Sequence, residues 1–435
     1  MTMLPLNQLI LSAAAKAIAA KEITSQALVR ACLDQIAARE GVVKAWSAID
    51  ADIAHAQARA ADATSPRGPL HGVPIGVKDV LNTFDFPTEM GSPIYKGHQT
   101  KTDASCVAML RAAGAIILGK TVTCEFAGVA PGATTNPLDV TRTPGGSSSG
   151  SAAAVADHMV PVAIGTQTGG SVLRPASFCG LVGYKPSYGY YNREGLKFAA
   201  ESLDTIGLIG RSVEDMGLVS AALTGRASWS PAKLQSSPRI GLCRTYLWDE
   251  KASPETRSCF ETVAADLKAA GAATEFFDLP PSFHRLTEVR EIINDVERAR
   301  ALAWEWAHHR AALSPQLAGT IERGLATPDA VYRDALAFSE KSRLDLDHLL
   351  QGFDALVAPC VNGEAPIGLD YAGDPAFQGL WTLLHVPTLT IPATRGPNNM
   401  PVGIQFVAAR GADETLLSVS LWAQTMAHIG ADFLT

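Results

Sequence analysis

Apolar positions recur at helical spacing through residues 6–40. A polar stretch around Lys21, Glu22 and Ser25 divides the run into two helices. Thr24 or Ser25 is placed to cap the second. Residues 44–62 predict a short strand, AWSAID, then an alanine-rich helix and the loop ATSPRGPLHG. The run VPIGVKDV, residues 73–80, is β-branched and apolar except for one lysine. Lys78 is therefore either the solvent-facing residue of an edge strand or a buried functional group. SCVAMLRAAGAIILGKTVTCEF reads as a helix stopped by Gly114 and followed by a strand. That alternation of helix and strand implies parallel pairing, and GLVGYKPSYG and LDTIGLIGRSVEDMGLVSAAL continue it. Residues 226–238 form a polar, Pro/Ser-rich connector to a strand, RIGLCRTY, and a helix over 254–270. Residues 281–350 are helical and decorated with charge. His308 and His309 are adjacent there, so they point to different sides of a helix and predict a solvated pair, not a metal site. FDALVAPCVNGEAP, VPTLTIPA and MPVGIQFVA return to strands before a last helix, ADETLLSVSLWAQTMA.

At 435 residues, one large α/β domain or two domains both remain open. A formal net charge of -7 and the lack of any basic run argue against nucleic acid as a partner. The N-terminus carries no signal-type segment, and no stretch of about 18 apolar residues occurs, so no membrane association and a cytoplasmic location are expected. The seven cysteines are scattered without CxxC spacing. They predict small buried hydrophobes, with neither a disulfide framework nor a zinc site.

The chemistry concentrates in residues 141–180, TRTPGGSSSGSAAAVADHMVPVAIGTQTGGSVLRPASFCG. Two Gly-Gly-Ser corners end at Ser147 and Ser171. Glycine serves where backbone turns sharply or approaches another group closely. A flexible linker would sit at a domain boundary, whereas this stretch runs straight into buried-looking AAAVA and MVPVAIG. An attacking serine needs a base and donors for the oxyanion. No histidine lies in the two Gly-Gly-Ser corners, and no strand-to-helix G-x-S-x-G elbow of the α/β-hydrolase kind places a serine there. A lysine made neutral by an apolar setting is the other candidate base, and Lys78 has that setting.

The chain resembles the amidase signature family over nearly its whole length, most densely across residues 72–215. GVPIGVKDV, TPGGSSSGS, GTQTGGSVLRPASFCG, SLDTIGLIGRSVEDM and the late MPVGIQFVA carry the resemblance, in the family's order. It implies one α/β domain spanning 1–435, with a mixed, mostly parallel central sheet covered by helices on both sides. Residues 281–350 would lie over or beside the pocket. It implies a Ser–cis-Ser–Lys triad in which Ser171 is the nucleophile, Ser147 bridges after a cis peptide, and Lys78 is the base. The backbone N–H groups of Thr168, Gly169, Gly170 and Ser171 would form the oxyanion hole. Ser148, Ser149, Ser151 and Cys179 are expected to pack or hydrogen-bond, and Asp204 and Asp215 to support the site. Tyr95, Thr134 and Gln167 are candidate pocket residues. Serine, lysine and backbone donors suffice for acyl transfer, so no metal and no cofactor is implied. A homodimer is the expected assembly.

Two departures from the commonest family pattern set the expected substrate. Gln167 stands where many members carry aspartate, and Leu173 where many carry arginine; the arginine here is Arg174, three residues after Ser171. This form resembles malonamidase-type members, which implies a small amide with a carboxylate, such as malonamate, held by Arg174. A glutamine-hydrolysing A-type subunit of a tRNA amidotransferase is the second reading. A non-catalytic small-molecule receptor on the same fold is the third.

Overall fold

The structure, a computed structural model, describes residues 4–226, 234 and 236–433. Most of the connector 226–238 thus lies outside the described residues. The N-terminal helices form as the polar interruption predicts, over Leu11–Ala19 and Ser25–Val43. Thr24 caps the second, its hydroxyl accepting from the Ala27 N–H at 3.1 Å. Gly114, at φ 92°, ends the helix Ser105–Ala112. A Cβ there would lie 2.7 Å from the His71 Cα, so close approach adds to the turn's demand for glycine.

Among the described residues one eleven-stranded sheet gathers the chain. Its strands are β1 (Trp46–Ile49), β2 (Pro74–Lys78), β3 (Ile116–Thr121), β4 (Val162–Gln167), β5 (Val182–Lys185) and β6 (Thr205–Gly210). The later ones are β7 (Arg239–Leu242), β8 (Ala273–Phe276), β9 (Ala355–Pro359), β10 (Thr388–Arg395) and β11 (Pro401–Val407). They lie in the order β1-β3-β2-β4-β6-β5-β10-β11-β9-β7-β8. The expected α/β class with a mixed sheet flanked by helices is what forms.

The expectation of mostly parallel pairing needs correction. Four of the ten ladders are parallel and six antiparallel. Helical crossovers do build parallel wings, β3-β2-β4 on one side and β9-β7-β8 on the other. In the middle, β4 and β5 run the same way, as the helix between them requires. However, β6 inserts between them and pairs antiparallel with both. Alternation of elements reports direction and not adjacency.

Every residue of β2, β3 and β4 is buried. Their continuous apolar runs fit strands covered on both faces. The charged region 281–350 forms four α-helices, Leu286–Ala301, Ala303–His309, Pro315–Ala326 and Asp329–Leu349. His308 and His309 pack around Trp304, with ring centroids 5.5 and 4.8 Å away. Among the described residues no helix is long and apolar enough to cross a membrane.

Candidate active site

Lys78 ends β2 inside the sheet, with β3 on one side and β4 on the other. The edge-strand alternative therefore does not hold, and the side chain is fully buried. Its Nζ donates to the Ser147 Oγ at 2.8 Å, the Thr166 Oγ1 at 2.8 Å and the Thr166 carbonyl at 3.3 Å. Burial penalises the ammonium form and lowers the amine from its ordinary value of 10.5 to about 7. The carboxylate of Asp204 and the guanidinium groups of Arg298 and Arg174 act on it in opposite directions.

The first glycine corner places Ser147 after a cis peptide bond from Gly146. Gly145 has φ 80°, and a Cβ on it would meet Phe178 at 2.9 Å and the Pro175 Cα at 3.0 Å. The corner is held from three sides. Gly146 N–H donates to the Ala372 carbonyl at 3.1 Å, and the Ser147 carbonyl accepts from the Cys124 N–H at 3.1 Å. The Gly146 carbonyl accepts from the Arg174 Nη2 at 2.6 Å.

The second corner follows β4, whose end lies beside that of β2. Ligand sites of open α/β sheets gather at such strand ends. The Ser148 N–H donates to the Ser171 carbonyl at 3.2 Å, which locks the two corners together. Ser171 borders a cavity of about 370 Å³ that Thr168, Gly169, Gly170 and Arg174 also line. Among the described residues, the backbone N–H groups of Thr168, Gly169, Gly170 and Ser171 donate no hydrogen bond. The Ser171 hydroxyl makes none either. Four undirected donors and one free hydroxyl beside a cavity can receive an acyl group and the oxyanion it forms.

Gln167 shapes this turn from behind. Its Oε1 accepts from the Val172 and Leu173 N–H groups at 2.9 and 3.1 Å, and its Nε2 donates to the Thr382 Oγ1 at 3.0 Å. Thr382 in turn donates to the Gly169 carbonyl at 2.7 Å. An aspartate could accept here but could not donate to Thr382. Asp204 accepts from the Thr168 hydroxyl at 2.5 Å and from the Ala199 N–H at 2.6 Å, so it supports the turn. Asp215 accepts from the Ser12 N–H at 2.8 Å, far from the corners in sequence. Ser148, Ser149 and Ser151 bond the Thr166, Val122 and Ile164 carbonyls, and Cys179 lies 3.5 Å from the Pro144 carbonyl. Tyr95 and Thr134 do not line the cavity: Tyr95 donates to Glu305 at 2.7 Å and Thr134 to the Lys44 carbonyl at 2.7 Å.

A scan against family models matches the chain to the Amidase family over residues 27–417. The chain belongs to the amidase family. The A-type subunit of glutamyl-tRNA(Gln) amidotransferase from Oleidesulfovibrio alaskensis is 34% identical, over 94% of this chain and 95% of the relative. A solved amidase superposes with a TM-score of 0.87 at 31% identity, covering 97% of this chain and all of the other. The peptide amidase from Stenotrophomonas maltophilia superposes with a TM-score of 0.82 at 29% identity, covering 96% of each chain. The protein is an amide-hydrolysing enzyme.

Arg174 lies under the amidase cavity, 6% exposed. One of its N–H groups is spent on Gly146, while Nε and Nη1 are buried without a partner. The helix Leu286–Ala301 also lines the cavity, through Arg290, Asn294 and Arg298, residues that sequence reasoning did not name. Their spacing of four was the available signal.

Proposed function

We propose that this amidase hydrolyses a small amide bearing a carboxylate, of the malonamate class, through an acyl-enzyme on Ser171. The observation that carries the proposal is Lys78, buried, lowered to about 7 and 2.8 Å from the Ser147 hydroxyl. A neutral Lys78 takes the Ser147 proton while Ser147 takes that of Ser171. The freed Ser171 Oγ bonds to the amide carbon, and the carbonyl oxygen turns toward the N–H groups of residues 168–171. The C–N bond then breaks, Lys78 returns its proton along the same path to the leaving nitrogen, and ammonia departs. Water repeats the attack and releases Ser171. The Lys78–Ser147 leg is made in this structure; the Ser147–Ser171 leg closes on substrate binding, as catalytic hydrogen bonds often do.

Arg174 is proposed to hold the acid end, because its Nε and Nη1 are buried and unpartnered on a residue that lines the cavity. The test compares kcat/KM for malonamate and the uncharged propionamide in wild type and Arg174→Met. A loss on malonamate at least tenfold larger than on propionamide is expected. Equal losses would remove the carboxylate role and leave Arg174 as the prop of the Gly146 carbonyl.

The 34% identity to an A-type amidotransferase chain supports a second reading, glutamine hydrolysis within a larger complex. Ammonia release from glutamine and malonamate, measured side by side, separates the two. A kcat/KM favouring glutamine would overturn the malonamate assignment. For the third reading, a non-catalytic receptor, a fluorophosphonate probe that leaves Ser171 unlabelled in folded protein would be the supporting result. A homodimer and a cytoplasmic location complete the proposal.

A further inference from the structure

We propose that Arg290 is a specificity-determining residue, and that the cavity takes an amide carrying two acidic groups, one on Arg174 and one on Arg290. This rests on the carboxylate reading above and extends it.

Charge across the cavity is the first observation. Its lining holds four arginines, Arg174, Arg290, Arg298 and Arg323, against two carboxylates, Glu291 and Asp295, which leaves two positive charges unmatched. Partner chemistry then shows which two. Arg323 pairs with Asp295 at 2.7 Å and is mostly exposed. Arg298 donates to the Phe126 carbonyl at 3.1 Å and lies in the field of the buried Asp204 and of Asp295. Arg174 has no ion pair among the described residues. Arg290 makes an ion pair only with the Glu291 carboxylate, at 3.5 Å, and that side chain is 63% exposed, while Asp295 and Asp374 act on it from farther off. A solvated carboxylate so placed offsets little of the charge of a guanidinium that is 13% exposed.

Position is the second observation. Arg174 lies on the helix Leu173–Phe178, bonded to the carbonyl of the Gly146–Ser147 peptide. Arg290 reaches the cavity from the helix Leu286–Ala301, over Gly379, where a Cβ would lie 2.7 Å from its Nε. Its Nη1 would stand 3.5 Å from a Cβ on Gly169, beside the turn whose N–H groups point at the acyl site. Arg290 also weakens the charged form of Arg174. Two like charges desolvated on different helices that line one cavity are relieved most by an anion at each. A substrate with acidic groups at both ends, and the scissile amide between or beside them, fits that arrangement.

The test uses carboxylic acids as probes, so it does not require turnover. Binding of butyrate, succinate and glutarate to the wild-type enzyme is measured by calorimetry at fixed ionic strength. At least one diacid should bind tenfold or more tightly than butyrate. In Arg290→Met the diacid should fall to within about twofold of the monoacid, and Arg290→Lys should keep part of the preference. Equal affinities of diacid and monoacid in the wild type would overturn the proposal, and so would an undiminished preference in folded Arg290→Met. Arg290→Gln supplies the same comparison if the Met variant does not fold. Absence of fluorophosphonate labelling at Ser171 would sink the triad assignment instead, since that readout involves neither acid.

Discussion

Replacing Lys78 by methionine separates the amine's chemistry from its burden on the fold. The side chain is fully buried and of similar length to methionine, so the substitution opens little space. It removes the donor to the Ser147 and Thr166 hydroxyls, a loss of about 1 kcal/mol for each. Against that stands the amine's shift from 10.5 to about 7 on burial. At about 1.4 kcal/mol per unit, that shift is on the order of 5 kcal/mol against folding wherever both states would be protonated. Between pH 7 and 10.5 the unfolded chain binds the proton and the folded chain does not, so stability rises with pH across that window. Lys185 is also lowered to about 7 by burial and gives the wild type a slope of its own. Only the difference between wild type and Lys78→Met isolates Lys78. Urea unfolding of both at pH 7, 8.5 and 10 should show the variant more stable at pH 7 and its advantage shrinking with each step. At pH 8.5 its kcat/KM should fall by about 10²–10⁴-fold. The wild-type kcat/KM should climb through about pH 7 and then level. Parallel stability curves, or near-normal turnover in the variant, would refute the account of Lys78 as a neutral buried base.

Further outcomes follow from the turn that carries Ser171. Gly170→Ala places a Cβ 2.9 Å from the Gln378 Cδ, so that side chain or the turn carrying Ser171 must move. A kcat loss of about a hundredfold is expected, the scale of one misplaced oxyanion donor, and a loss under tenfold would count against that hole. Gln167→Glu keeps the acceptor for Val172 and Leu173 but removes the donor to Thr382 and buries a charge. Thermal unfolding should show a loss of about 1–3 kcal/mol at pH 8, smaller at pH 5 where a protonated carboxyl can donate again. A loss unchanged by pH would show that the Thr382 bond is not what Gln167 supplies.

The candidate site is legible in the chain because its two serines sit on tight backbone turns. A turn that approaches its neighbours within 3 Å excludes a Cβ, and the sequence records that exclusion as Gly145 and Gly170. Lys78 was legible only as a choice between edge and interior. What decides it is β4, which begins more than 80 residues later and closes the far side of β2. The sheet's central reversal was hidden for the same reason: the helix between β4 and β5 fixes their common direction, but β6 comes afterwards and inserts between them. The arginine wall is the furthest removed from local pattern. Arg290, Asn294 and Arg298 share a helical face by their spacing, and an exposed face of that composition would read as ordinary solvated surface. It turns inward because Gly379, some 90 residues on, lacks the side chain that would occupy Arg290's place. The proposed role of Arg290 therefore depends on a glycine of another helix. Gly379 should resist substitution as strongly as the arginine it accommodates.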